Sequence, residues 1–415
     1  MFRFLHAADL HLDSPLLGLA SREGAPADEL RGASRRALVN LIELALEQAV
    51  QFVVIAGDVY DRDWKDYHTA LFFRSQMNRL SDAGVTVYLI AGNHDAASVI
   101  SRKLSLPENV KVFPSAAPRT IEAEDLPLAV HGMSFSNRAV DENLVPRYPA
   151  PVAGKFNLGL LHTSLAGAEG HDTYAPCSLA DLVGKGYDYW ALGHIHQPAE
   201  LHRDPWVVYP GNIQGRHVNE CGARGCRVVE VNDDLEVVEC KWHPLDVVRW
   251  ARVSVDLSGV ADFDDAVRHA REKLGEAVEE AEGRTLAMRI ELTGATELHG
   301  TLCSRPDRME AELHACADEF GEGAVWIERV RIGTRAVVSL AELSERDPLT
   351  KVVVEALGES VDMALPAEVV EMLSVLPPEL KAELEQGWSG ETRRQLVEDA
   401  CATVLDRLTT KGAEA

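Results

Sequence analysis

Five apolar runs that each break off into Asp, Asn or His constrain this 415-residue chain more than any other feature. They are FRFLHAADLH (2–11), FVVIAGDVYD (52–61), VYLIAGNHD (87–95), NLGLLHTS (157–164) and YDYWALGHIH (187–196). Each is apolar, then small, then abruptly polar, as a buried strand would be that ends in a metal-type residue. In open α/β sheets ligands bind beyond the carboxyl ends of the strands, so five such ends are expected to converge on one place.

Between the runs, residues 35–50 and 68–83 carry apolar side chains at three- and four-residue spacing and read as amphipathic helices. This alternation over residues 1–245 predicts a layered α/β domain. A boundary is expected near 245. Beyond it, strands at 247–257, 285–294 and 324–332 with helices at 262–282 and 307–320 form a small α+β unit over 246–340. The glutamates of 276–282 read as a solvated helix face. From about 341 to 415 the chain reads as helical segments separated by proline breaks. The last, 391–409, bears an apolar stripe of Leu396, Val397, Ala400, Val404, Leu405 and Leu408.

The N-terminus lacks a basic stretch followed by a long apolar core, so no secretory signal is expected. No apolar run approaches the roughly 18 residues of a membrane span. Seven scattered cysteines, never spaced C-x-x-C, argue against a disulfide framework and against a zinc knuckle; they fit a reducing cytoplasm. The net charge of −25, steeper after residue 245, opposes nucleic-acid binding unless a local patch, bound cations or a partner offsets it.

The polar tips themselves indicate metal chemistry. Asp9 and His11 are two apart and would share a face of an extended chain. Asp58 follows Gly57, which permits a tight turn. Asn93, His94 and Asp95 follow a second Ile-Ala-Gly, His162 ends an apolar strand, and His194 and His196 are again two apart. Mixed carboxylate, imidazole and amide donors suit manganese, iron or zinc. Asp9, His11, Asp58, Asn93, His162, His194 and His196 are too many for one ion with room for water and substrate. Two ions sharing a carboxylate fit better, and a pair about 3.5–4 Å apart can clamp a phosphate and activate water.

The ordered set D-x-H, G-D-x-x-D, G-N-H-D, a strand-end His and G-H-x-H resembles the calcineurin-like metallophosphoesterases. It stands here as Asp9–His11, Gly57–Asp61, Gly92–Asp95, His162 and Gly193–His196. That resemblance implies Asp9, His11, Asp58 and His196 around one ion and Asp58, Asn93, His162 and His194 around the other. It implies His94 as the group that contacts the phosphate and protonates the leaving oxygen, with Asp95 orienting its ring. An imidazole suits that task because it titrates near neutral pH. The segments LHAADLHLDSPL, LLHTSLAGAEGHDTYAPCSLADL and YPGNIQGRHVNECGARGC are similar to the bacterial SbcD/YhaO-type DNA-repair exonucleases, the YhaO type in particular.

The resemblance therefore implies an α/β fold: a four-layer αββα sandwich, an α+β capping domain and a helical C-terminal region. It also implies two Mn²⁺ ions, with Fe or Zn as alternatives, a DNA substrate, and an SMC-like coiled-coil ATPase as partner. Homodimerisation is left open. Three further residues are candidates for substrate contact: Arg216 after the Gly211–Gly215 turn, His171 in a loop, and Asp61, which alternatively braces the site. His6 and His131 read as core histidines. Two rival readings remain, a phosphodiesterase for small phosphoesters and a DNA-end binding scaffold.

Overall fold

A computed structural model of the chain describes residues 1–14, 27–61, 67–96, 105–135, 137, 140–165, 174–321, 323–337, 348–358 and 399–404. Two compact units result: Met1–Ala251 with Arg284–Ala287, and Arg252–Gly283 with Met288–Ala415.

The first unit is built on two six-stranded sheets. One consists of β1 (Phe2–Ala7), β2 (Phe52–Ala56), β3 (Thr86–Ile90), β4 (Val110–Val112), β11 (Gly225–Val231) and β12 (Val237–Pro244), in the order β12-β11-β1-β2-β3-β4. The other consists of β5 (Arg119–Glu122), β6 (Leu128–Gly132), β7 (Phe156–His162), β8 (Tyr189–Gly193), β9 (Ala199–Arg203) and β10 (Trp206–Tyr209), in the order β5-β6-β7-β8-β10-β9. β1 to β4 are mutually parallel, as are β6, β7, β8 and β10. Both faces of these central strands are covered, which is why they read as unbroken apolar runs rather than alternating ones.

Side-chain alternation divides each strand between two cores. Phe4, Phe52, Val54, Leu158, Tyr189 and Ala191 meet between the sheets. Leu5, Val53 and Ile55 face outward under helices α1 (Ala27–Glu47) and α2 (Tyr67–Asp82), meeting Leu38, Leu41, Phe73 and Met77. On the opposite side Leu161, Trp190 and Leu192 pack with Leu182 of α4 (Leu179–Gly184). The layers are helix, sheet, sheet, helix, as expected. A short helical turn, α3 (Asn93–Ala96), follows β3.

The second unit holds a three-stranded sheet, β13 (Val248–Asp256), β14 (Thr285–Ala295) and β15 (Val325–Arg335), in that order. Its helices are α5 (Phe263–Glu280), α6 (His299–Ser304), α7 (Pro306–Asp318) and α8 (Pro348–Gly358). Asp262 caps α5 by accepting from the Asp264 and Asp265 amides, and Ala266, Ala270, Leu274 and Ala277 are buried beneath it. Glu276, Glu279, Glu280 and Glu282 are exposed. The division falls after Ala251, six residues beyond 245, because the start of β13 belongs to the first unit. Val248 O accepts from Gln214 Nε2 at 2.6 Å, and the Trp250 indole donates to Gly215 O at 3.0 Å. Of the anticipated 391–409 helix, residues 399–404 are helical, with Cys401 buried but Ala400 and Val404 exposed. Leu396, Val397, Leu405 and Leu408 lie outside the described residues. All seven cysteines are free thiols. Among the described residues no helix is long and apolar enough to cross a membrane.

What positions the site is the close abutment of the strand ends of the two sheets. A Cβ on Gly193, at the end of β8, would lie 2.0 Å from the carbonyl oxygen of Ala56, at the end of β2. Gly193→Ala is therefore expected to destabilise the first unit by about 1–3 kcal/mol through overpacking. Gly184→Ala, where a Cβ meets nothing within 4 Å, should not do so. Urea unfolding of both variants checks the difference.

Candidate metal centre

Strand β1 ends at Ala7 and the backbone then turns left-handed: φ is 52° at Asp9 and 41° at His11. Asp58 (φ 52°) and His194 (φ 97°) do the same after β2 and β8. Non-glycine residues rarely occupy this region, and its cost is met only where surrounding structure enforces it. Here the Asp9 amide donates to Gly57 O and the His11 amide to Asp58 O, both at 3.0 Å, so the two loops lock each other. The i, i+2 argument from an extended strand thus does not apply to Asp9 and His11; reciprocal turns bring them together instead.

All seven anticipated ligands gather at this place. Asp9, His11 and His196 present one ligand atom each within 4.8 Å of one another, and so do Asp9, Asp58 and His162. His11 Nε2 lies 3.2 Å from His196 Nε2 and 3.8 Å from Asp58 Oδ2. His162 Nε2 lies 2.9 Å from Asn93 Oδ1 and 3.4 Å from Asp58 Oδ2. The rings of His162 and His194 have centroids 5.2 Å apart. Asp58 stands between the two groups, and Gly92 is needed beside it: a Cβ there would fall 2.2 Å from Asp58 Oδ1.

The chemistry of these donors fits cations. His162 gives its Nδ1 proton to Ala56 O at 2.9 Å, so a neutral ring turns its Nε2 lone pair toward the oxygens of Asn93 and Asp58. Acceptors facing one point at such distances need a proton or a metal ion among them. Burial alone would lower the His162 pKa, but the Asp58 carboxylate, with help from Asp9, pushes it up to about 9. Burial would raise Asp58; its contacts with His162 and His94 hold it below the usual carboxylate range. The centre thus attracts positive charge.

His94 begins in the α3 turn, where its amide donates to Asp58 Oδ1 at 3.0 Å. Its Nε2 is 4.0 Å from Asp58 Oδ2, and its Nδ1 is 2.6 Å from Asp61 Oδ1. The expectation that Asp95 orients this ring is corrected. The Asp95 carboxylate accepts the amides of Tyr60 (2.9 Å), Val59 and Gly92 (both 3.1 Å) and so staples the two loops together. Successive residues of a helical turn do not face each other, which leaves His94 to Asp61. Burial, with Asp58 adding to it, raises the Asp95 pKa to about 7.

Asp61 also accepts from Ser14 Oγ at 2.5 Å and lies 3.7 Å from Arg216 Nη1. Arg216 is no ordinary surface arginine: its Nη2 donates to Glu220 at 3.1 Å. His171 lies outside the described residues. His6 hydrogen-bonds Tyr189 (3.0 Å) and Leu192 O (3.2 Å) and is driven by burial to a pKa of about 3, a core histidine. His131, stacked on Tyr187 at 4.2 Å, is another.

Glu220 was not among the sequence candidates. Its Oε1 lies 2.7 Å from His196 Nδ1, and its Oε2 accepts from the Arg216 amide at 2.7 Å and from Asn212 Nδ2 at 3.1 Å. It lies 24 residues from His196 in a loop with no periodicity, so no local spacing marks it. Two aromatic edges flank the ligands as well: Phe135, 5.7 Å from the His162 ring, and Tyr174, 4.9 Å from the His194 ring.

Comparison with known proteins agrees with this geometry. Residues 2–198 match the calcineurin-like phosphoesterases, and residues 250–335 match the middle domain of metallophosphoesterase YhaO. An uncharacterized metallophosphoesterase YhaO of Bacillus subtilis is 38% identical over 260 residues, which cover 61% of this chain and 63% of that protein. The DNA double-strand break repair protein Mre11 of Methanopyrus kandleri is 26% identical over 271 residues, covering 58% of this chain and 57% of that one. The matches thus span less than two thirds of either relative. With its candidate ligands gathered at the strand ends, the chain carries a calcineurin-like metallophosphoesterase domain over residues 2–198, followed by a segment similar to the middle domain of metallophosphoesterase YhaO.

Proposed function

We propose that this metallophosphoesterase is a two-metal, manganese-preferring DNA nuclease acting in repair, on ends or internally, beside an SMC-like ATPase. The observation that carries the reading is the placement of His94: its ring is held by Asp61 on one side and reaches toward Asp58, between the two ligand groups, on the other. Asp9, His11, Asp58 and His196 would hold one ion and Asp58, Asn93, His162 and His194 the second. Such a pair supplies Lewis acidity toward a phosphoryl group and a hydroxide-like nucleophile near neutral pH.

The chain's own residues do the rest. Asp58 keeps the two ligand groups adjacent. His94 donates a proton to the sugar oxygen as the phosphorus–oxygen bond breaks, so the alkoxide leaves as an alcohol. Asp61 fixes the orientation of that donor. Asp95 holds the loops that carry Asp58 and Asn93 in register.

Two observations favour DNA as the phosphodiester. One is the relative named as a DNA double-strand break repair protein. The other lies in the second unit, where Arg329, Arg331 and Arg335 occupy alternate, exposed positions on the edge strand β15. They give an acidic chain a local basic stripe suited to phosphates. Seven free thiols suit a reducing, cytoplasmic setting. The net charge of −25 favours a second reading, a small soluble phosphodiester as substrate. Protein with manganese that hydrolyses a small phosphodiester yet leaves single- and double-stranded DNA intact would establish that second reading and end the first.

His94→Ala should lower cleavage of end-labelled DNA about 10²- to 10⁴-fold, the range for loss of a general acid. Manganese and DNA binding should persist in that variant. A manganese titration should also be pH-dependent. With the His162 pKa near 9 in the protein alone, a proton must leave before Nε2 can coordinate, so affinity rises between pH 7 and 9 and then levels. Calorimetry in buffers of different ionisation heat would show the released proton. Replacing Arg329, Arg331 and Arg335 by Gln should weaken DNA binding and flatten its salt dependence, by about 0.9 in log–log slope for each phosphate that is no longer neutralised.

A further inference from the structure

We infer that Glu220 is a positioning residue that sets the affinity of one ion of the pair, the one bound by Asp9, His11 and His196, and leaves the other untouched. The inference rests on the two-metal reading above and makes it specific to one half of the centre.

A carboxylate can only accept, so the 2.7 Å contact from His196 Nδ1 to Glu220 Oε1 fixes the proton on Nδ1. In that tautomer Nε2 presents its lone pair, and Nε2 is the atom that lies 3.2 Å from His11 Nε2 in the Asp9–His11–His196 group. A partner on the far nitrogen of a ligating imidazole orients the ring and raises its basicity, and removing such a partner costs typically about 10–100-fold in metal affinity.

Glu220 is itself held firmly. It is 6% exposed. Oε2 takes the Arg216 amide and the Asn212 side chain, and Oε1 is shared by His196 and Arg216 Nη2. Asn212 returns to the same strand end, its amide donating to His196 O at 3.2 Å. The His196 backbone and ring are therefore referenced to one buried carboxylate.

The other ligand group is oriented differently. His162 is set by a backbone carbonyl, Ala56 O, which no side-chain substitution removes. This asymmetry makes the inference testable: Glu220 should act on one ion only.

The test is a manganese titration of the full chain, followed by calorimetry and by the paramagnetic resonance signal of free Mn²⁺, neither of which depends on turnover. The wild-type chain should take up two ions. Glu220→Ala should weaken one binding step about 10- to 100-fold and leave the second unchanged. Glu220→Gln, nearly isosteric and still able to accept from Nδ1, should lie between the two and serves if the alanine variant fails to fold. Two equal, unaltered steps in folded Glu220→Gln and Glu220→Ala proteins would overturn the inference, and so would equal weakening of both steps. If the wild-type chain takes up fewer than two ions, the two-metal reading itself fails, a separate outcome visible before any variant is made.

Discussion

The structure of the first unit turns on the burial of several carboxylates and imidazoles at one point between two sheets. Asp9, His11, Asp58 and His162 are all at most 2% exposed. Burying ionisable groups is unfavourable unless opposite charge or hydrogen bonds compensate. Here imidazoles answer carboxylates across the gap between the sheets, and the loops are cross-linked by backbone amides. The aromatic core between the sheets, with Phe4 and Phe52 stacked at 4.9 Å, and the two outer cores supply the apolar burial that offsets this cost.

The left-handed turns at Asp9, His11, Asp58 and His194 follow from the same constraint. A regular strand points successive side chains to opposite faces, so it cannot direct neighbours to one ion pair. Turning the chain at the strand end does so, and the absence of a side chain on Gly92 leaves space for Asp58, while that on Gly193 lets β8 approach Ala56 and His162. The strain sits where the candidate ligands gather, and the parallel strands behind it hold it in place.

Around the ligands lies a second ring of polar contacts with distinct tasks. Asp95 staples loops through three amides, Asp61 steadies His94, and Glu220 meets both His196 and Arg216. Arg216 lies between Glu220 and Asp61, so one guanidinium faces two carboxylates. Arrangements of this kind let an acidic protein present a site whose local charge is governed by buried pairs rather than by its net charge.

Much of this was legible in the residue order. Runs such as FVVIAGD announced doubly covered strands, and Asp, Asn and His at their ends announced a cluster of candidate ligands, because burial and coordination each demand particular side chains at particular places. The helices over 68–83 and 262–282 showed in the three- and four-residue spacing of their apolar positions. The tertiary structure alone decided which groups share a partner. Asp95 was expected to serve its neighbour His94, yet a helical turn separates adjacent side chains by about 100° and gave that task to Asp61. Glu220 was invisible for a related reason: its contact with His196 joins two loops that approach only once the sheets have packed. Sequence determines which chemistry a chain can assemble, since donor atoms are local properties of residues; packing determines who meets whom, since distance in space is not.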